Sequence, residues 1–136
     1  MAAVIPSPPL PRRIGPLTRT DFVKYQGASG DFQPIHHDEV FATASGYPSV
    51  FSVGMLQAGA LACWATAWLG ADNVRRYRVR FQEQVWPGDT LSLSGTVAGE
   101  RVDEVTGEAL VDVDLVCTRQ TGGVAIRGWA TFAIPS

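Results

Sequence analysis

Residues 54–69 read Gly54-Met55-Leu56-Gln57-Ala58-Gly59-Ala60-Leu61-Ala62-Cys63-Trp64-Ala65-Thr66-Ala67-Trp68-Leu69, and only Gln57 and Thr66 are clearly polar. A helix over this stretch is about 24 Å long. That is short for a membrane crossing and suits a helix buried nearly all round. Ala58, Gly59, Ala62 and Ala65 are small enough for other backbone to come close, and Gly70 predicts where the helix stops. Trp64 and Trp68 stand four residues apart, so they share one helix face and read as core.

Downstream the apolar period changes from helical to alternating. Residues 74–85, 89–98, 109–119 and 124–134 all predict strands, most clearly in Leu91-Ser92-Leu93-Ser94 and Val111-Asp112-Val113-Asp114-Leu115. Pro87-Gly88-Asp89, Glu104-Val105-Thr106-Gly107 and Thr121-Gly122-Gly123 supply the turns between them. The even spacing predicts an antiparallel meander. One apolar helix followed by such a meander implies an α+β domain whose antiparallel sheet curls around the helix.

Upstream, residues 1–16 are proline-rich and carry no apolar run, which predicts an extended arm and not a signal peptide. The single domain is then residues 17–136. Thr18 predicts an N-cap for a helix to Ala28, with Asp21 at its third position. Asp38 predicts a second N-cap, with Gly46 stopping that helix.

Between the two lies Gly30-Asp31-Phe32-Gln33-Pro34-Ile35-His36-His37-Asp38. Pro34 has no amide hydrogen and pushes Gln33 out of the α region, so Asp31 and His36 cannot share a continuous helix. They lie on a shaped loop that can turn both side chains toward one small volume. An imidazole titrating near neutrality beside a carboxylate is equipment for moving protons to and from water. The bland alternative makes Asp31 a turn residue and His36 a hydrogen-bonded loop histidine.

Composition narrows the choice of partner. Eleven basic and thirteen acidic side chains give a formal net charge of −2 with no basic tract, so neither nucleic acid nor a membrane surface is expected. Cys63 and Cys117 have apolar neighbours and no CxxC partner, which argues against metal or redox roles and for buried free thiols in a cytoplasmic protein.

The chain resembles the MaoC-like family of (R)-specific enoyl-CoA hydratases and 3-hydroxyacyl dehydratases. Residues 28–38, then Phe41-Ala42, Gly46, Val53-Gly54-Met55-Leu56, Val79-Arg80-Phe81 and residues 85–91 carry the likeness, which extends from about residue 18 to 134. The resemblance implies a hotdog fold, usually dimeric, with the acyl chain beside the central helix. It implies Asp31 and His36 as the catalytic pair and the Gly54 backbone N–H as the donor to the thioester oxygen. Gln33, Tyr47, Phe51 and Met55 are weaker expectations for substrate contact. Gln33 is also a departure, because the family usually has Asn before this proline. No metal or redox cofactor is implied, and CoA enters as part of the substrate.

The expected activity is therefore reversible hydration of a trans-2-enoyl thioester to the (R)-3-hydroxyacyl thioester. The partners expected are an acyl-CoA, or an acyl carrier protein in its place, and another hotdog subunit in a homodimer or a heteromer. Rival expectations are a hotdog acyl-CoA thioesterase, a subunit of a heteromeric dehydratase and a pure binding module. The thioesterase reading is disfavoured because such enzymes usually take their carboxylate from a helix.

Overall fold

The computed structural model describes residues 4–136. Its elements in chain order are β1 (Arg12–Ile14), α1 (Arg19–Ser29), a 3-10 turn (Pro34–His36), α2 (Glu39–Ala44) and α3 (Gly54–Leu69). A second 3-10 turn (Ala71–Asn73) leads into β2 (Val74–Phe81), β3 (Leu91–Val102), β4 (Ala109–Arg119) and β5 (Val124–Ala133). The central helix has the limits its flanking glycines predict. The five strands form one antiparallel sheet in the order β1-β3-β4-β5-β2, packed on α3. This is the α+β hotdog arrangement.

Alternation decides which side of each strand meets the helix. On β4, Val111, Val113, Leu115 and Cys117 are buried, while Asp112 and Asp114 point away. They pack with Leu91 and Leu93 of β3 and Ile126, Ala130 and Phe132 of β5 against Ala58, Leu61, Trp64, Ala65 and Trp68 of α3. Burying a large apolar side chain contributes roughly 1.5–3 kcal/mol, so this interior is the main source of stability.

Four expectations are corrected here. α3 is not buried nearly all round, because Met55, Cys63 and Ala67 leave one side of it exposed, so of the two thiols expected to be buried only Cys117 is. The meander holds for β3, β4 and β5, but β2 pairs with β5 at the far edge and not with its sequence neighbour β3. The first strand of the meander stops at Phe81, well short of Val85. From there the chain leaves the sheet, and the Val85 carbonyl accepts a hydrogen bond from the Ser52 amide (2.8 Å), which ties the loop to the entrance of α3. The strand expected to close at Ala98 continues to Val102, because β4 goes on pairing with it.

Of the proline-rich arm, Met1–Ala3 lie outside the described residues. Arg12–Ile14 adds an edge strand to β3. Further back, the Trp68 indole N–H donates to the Pro6 carbonyl (2.8 Å) and the Trp64 indole N–H to the Leu10 carbonyl (3.3 Å). The arm thus lies along α3. Among the described residues no helix is long and apolar enough to cross a membrane.

Candidate active site

Thr18 caps α1 as its sequence predicts: its hydroxyl accepts from the Asp21 amide, and the Asp21 carboxylate accepts from the Thr18 amide. The helix ends at Gly30, whose φ of 77° is a left-handed conformation that costs glycine little. That turn throws the chain into the loop that carries Asp31. The Asp31 amide donates to the Ser29 hydroxyl (3.2 Å), and its carboxylate accepts from the Gln33 amide (3.2 Å). Pro34 then opens the 3-10 turn that ends at His36, at the position where proline's missing N–H costs nothing.

Gln26, a residue that composition and motif leave unmarked, holds this loop from below. It is buried, and its amide nitrogen donates to the Asp31 carbonyl (2.9 Å) and the Gln33 carbonyl (3.1 Å). With both of those donors spent, its oxygen accepts from Nδ1 of His37 (3.1 Å). His37 is therefore occupied in supporting the loop. Asp38, whose carboxylate accepts from the Phe41 amide (3.1 Å), is the N-cap of α2.

His36 is buried, and its Nδ1 lies 2.8 Å from the Phe51 carbonyl. A carbonyl oxygen only accepts, so Nδ1 carries a hydrogen, and in the neutral ring the lone pair belongs to Nε2. Nε2 faces the Asp31 carboxylate across 4.0 Å, with the Asp31 side chain about half exposed. The gap is too wide for a direct hydrogen bond. The Phe51 ring meets the imidazole edge-on at 5.3 Å, so one residue fixes the histidine through both its backbone and its side chain. Tyr47 and Trp86 pack on the Phe51 ring in turn, at 4.8 and 5.7 Å.

His36 lines a cavity of about 260 Å³ together with Phe51, Ser52, Gly54, Gln57, Phe81 and the stretch Gln82-Glu83-Gln84. Gly54 is the first residue of α3. Neither its amide nor that of Met55 has a hydrogen-bond partner among the described residues, and Val53 provides no side-chain cap. Such free amides carry the positive end of the helix dipole. A side chain at Gly54 would meet the Phe81 ring at 2.8 Å, so glycine here keeps both the ring and the amide in place.

The chain thus brings His36, Gly54 and Phe51 to one cavity, with Asp31 facing His36. Gln33 lies in the loop as a backbone partner of Asp31 and Gln26, Tyr47 stands behind Phe51, and Met55 is 54% exposed. None of these three lines the cavity. Sequence reasoning did not assign Ser52, Gln57 or residues 81–84 to the site. The signal among them was Gln57, one of two polar residues in an apolar helix.

The far wall is held by ions. Asp89 is buried, and its carboxylate accepts from Arg119 (Nε, 2.8 Å), Gln120 (Nε2, 2.7 Å) and the Trp86 amide (2.9 Å). Burial alone would raise its pKa, but these three partners outweigh that and hold it below the usual carboxylate range. Arg119 also reaches Glu83 in the cavity wall (3.0 Å). Among the described residues no group of three or more His, Cys, Asp or Glu side chains is placed to hold a metal ion.

Comparison with known proteins gives three findings. The family model described as MaoC like domain matches residues 2–118. The 3-hydroxyacyl-thioester dehydratase Y of Mycobacterium tuberculosis (strain ATCC 25618 / H37Rv) is 37% identical over 84 residues, 59% of this chain but only 29% of that relative's length. Among solved structures, a chain of the ChsH1-ChsH2 complex from Mycobacterium tuberculosis superposes with a TM-score of 0.80 at 23% identity, covering 99% of this chain and 100% of that one. The (R)-hydratase from A. caviae involved in PHA biosynthesis gives 0.77 at 20% identity, over 92% and 94%. At these identities the two superpositions establish the fold alone.

Proposed function

We propose, from the premise that this chain belongs to the MaoC-like dehydratase family, that it is a hydro-lyase acting on acyl thioesters. The reaction is reversible addition of water across a trans-2-enoyl-CoA to give the (R)-3-hydroxyacyl-CoA. The observation that carries this reading is the placement of His36, whose Nδ1 is held by the Phe51 carbonyl and whose Nε2 faces the Asp31 carboxylate, beside a cavity that His36 and the start of α3 both line.

A water oxygen about 2.8 Å from both Nε2 and the carboxylate fits a pair 4.0 Å apart. Asp31 orients that water and His36 takes its proton. The oxygen bonds to the β carbon, and the double-bond electrons move onto the thioester carbonyl as an enolate. The Gly54 N–H donates to the oxygen that gains this charge, a contribution worth about a hundredfold or more in rate at comparable sites. The proton held by the pair then passes to the α carbon. Water and alkene are consumed, one C–O and one C–H bond form, and nothing is oxidised or reduced.

Two further parts of the reading concern assembly and carrier. β2 is an edge strand that, among the described residues, pairs with β5 alone, which supports pairing with another hotdog subunit, alike or unlike. The fold shared with a chain of the ChsH1-ChsH2 complex keeps the unlike pair open to test. An acyl carrier protein in place of CoA would bring the same thioester.

The test follows the enoyl-thioester absorbance with crotonyl-CoA and longer enoyl-CoAs. The wild type consumes the band, and Asp31→Asn and His36→Gln do so at least about a hundredfold more slowly. Release of free CoA thiol without loss of the double bond would replace this reading with thioester hydrolysis. Wild-type rates in both variants would overturn the assignment of the pair.

A further inference from the structure

Gln57 has a feature the proposed reaction does not yet use. It is 2% exposed, and its amide oxygen accepts a hydrogen bond from the Ser52 hydroxyl at 2.7 Å. Its amide nitrogen has no hydrogen-bond partner among the described residues, where no fully buried side-chain nitrogen or oxygen is left without one. That nitrogen is therefore not sealed in the core: it opens on the cavity that Gln57 lines beside His36 and Gly54.

Position adds direction. Gln57 stands three residues after Gly54, on the same face of α3. Side chains on a helix lean toward its N-terminus, and the bond to Ser52, two residues before Gly54, draws the amide further that way. Ser52 is itself buried, and its backbone is tied to the Val85 carbonyl, so the anchor is firm. The outcome is a fixed N–H donor on the cavity that Gly54 also lines, carried by two buried side chains.

We propose that the Gln57 side-chain amide is a second donor to the thioester oxygen, working with the Gly54 N–H, and that Ser52 is the positioning residue that aims it. This rests on the acyl-thioester reading above. A donor aimed where charge develops stabilises the enolate more than the ground-state carbonyl, so its loss appears in kcat more than in KM.

Two variants separate the donor from its anchor. Gln57→Met keeps the volume and removes the amide, and Gln57→Glu keeps an acceptor for Ser52 and removes the donor. With crotonyl-CoA, each lowers kcat by about 10- to 100-fold with KM within about twofold, and Ser52→Ala lowers it by about 2- to 10-fold. The carbonyl stretch of crotonyl-CoA bound to Asp31→Asn, read by infrared difference spectroscopy, moves back toward its value in water when Gln57→Met is added. An unchanged kcat overturns the proposal, as does a rise in KM alone, which would place Gln57 on the acyl chain. If the wild type binds crotonyl-CoA but does not hydrate it, the hydratase reading falls. The carbonyl stretch still decides the Gln57 contact in that case, and an unmoved stretch overturns it.

Discussion

The interface between α3 and the sheet and the loops that build the candidate site are held together in opposite ways. The interface is apolar on both sides, with Leu61, Trp64 and Trp68 set against Val113, Leu115 and Ile126. The loops contribute little to that core and are fixed by a few polar groups. Gln26 holds the Asp31 loop, the Phe51 carbonyl holds His36, and Arg119 with Gln120 holds Asp89 beyond the cavity wall. Apolar packing is spread over many contacts and tolerates loss by degrees. A polar clamp concentrates its effect in two or three hydrogen bonds and sets the aim of a side chain. In this molecule the first supplies stability and the second supplies position.

The sharpest way to break that contrast is to damage the interface and ask whether the site notices. Leu61→Ala, at a fully buried position, is expected to lower unfolding free energy by about 3 kcal/mol or more, read by urea denaturation. Activity per folded molecule should stay near wild type, and a parallel loss of kcat would show that core and site are not separable.

Next in size is the Asp89 clamp. Asp89→Asn leaves Arg119 without its buried partner and is expected to cost about 2–3 kcal/mol at pH 7. The sign of its pH dependence follows from the lowered carboxyl pKa in the folded state. The stabilisation is complete above the ordinary aspartate value of about 4. It is lost as pH falls from there through the lower folded value. Denaturation curves taken from pH 7 downward should therefore converge for wild type and variant on the acid side. Curves that stay a constant distance apart would remove the charge from the explanation.

The smallest effect on stability should bring the largest mismatch with activity. Gln26→Leu orphans the Asp31 and Gln33 carbonyls, at an expected cost of about 1–2 kcal/mol. The same change frees the loop that carries Asp31, so hydration should fall by about 10-fold or more, since small misplacements of a reacting group are expensive. Melting and enoyl-thioester assays on one preparation compare the two. A rate that tracks only the fraction folded would make Gln26 an ordinary core residue.

The two kinds of region were unequally legible in the sequence. The limits of α3 could be read because Gly54 and Gly70 bracket an apolar run. The faces of β4 could be read because Val111 to Leu115 alternate without a break. Pro34 announced that Asp31 and His36 share a loop and not a helix. What could not be read was non-local: that β2 crosses to pair with β5, and that Arg12–Ile14, three residues with no alternation, joins β3. Gln26 was invisible for a related reason. Helical periodicity says which residues face inward, but not that an inward amide meets two carbonyls from a loop five to seven residues later.

The indoles of Trp64 and Trp68 lie edge to face at 5.6 Å, and both donate to carbonyls of the N-terminal arm. Indole emission shifts with the polarity around the ring, so the arm and the pair form an optical probe built into the chain. While the arm is seated, two of the four tryptophans emit from a shielded environment. If it lifts, both rings meet water together and their emission moves to the red. Whatever displaces the arm from α3 thus reports itself in the colour of the protein's own fluorescence.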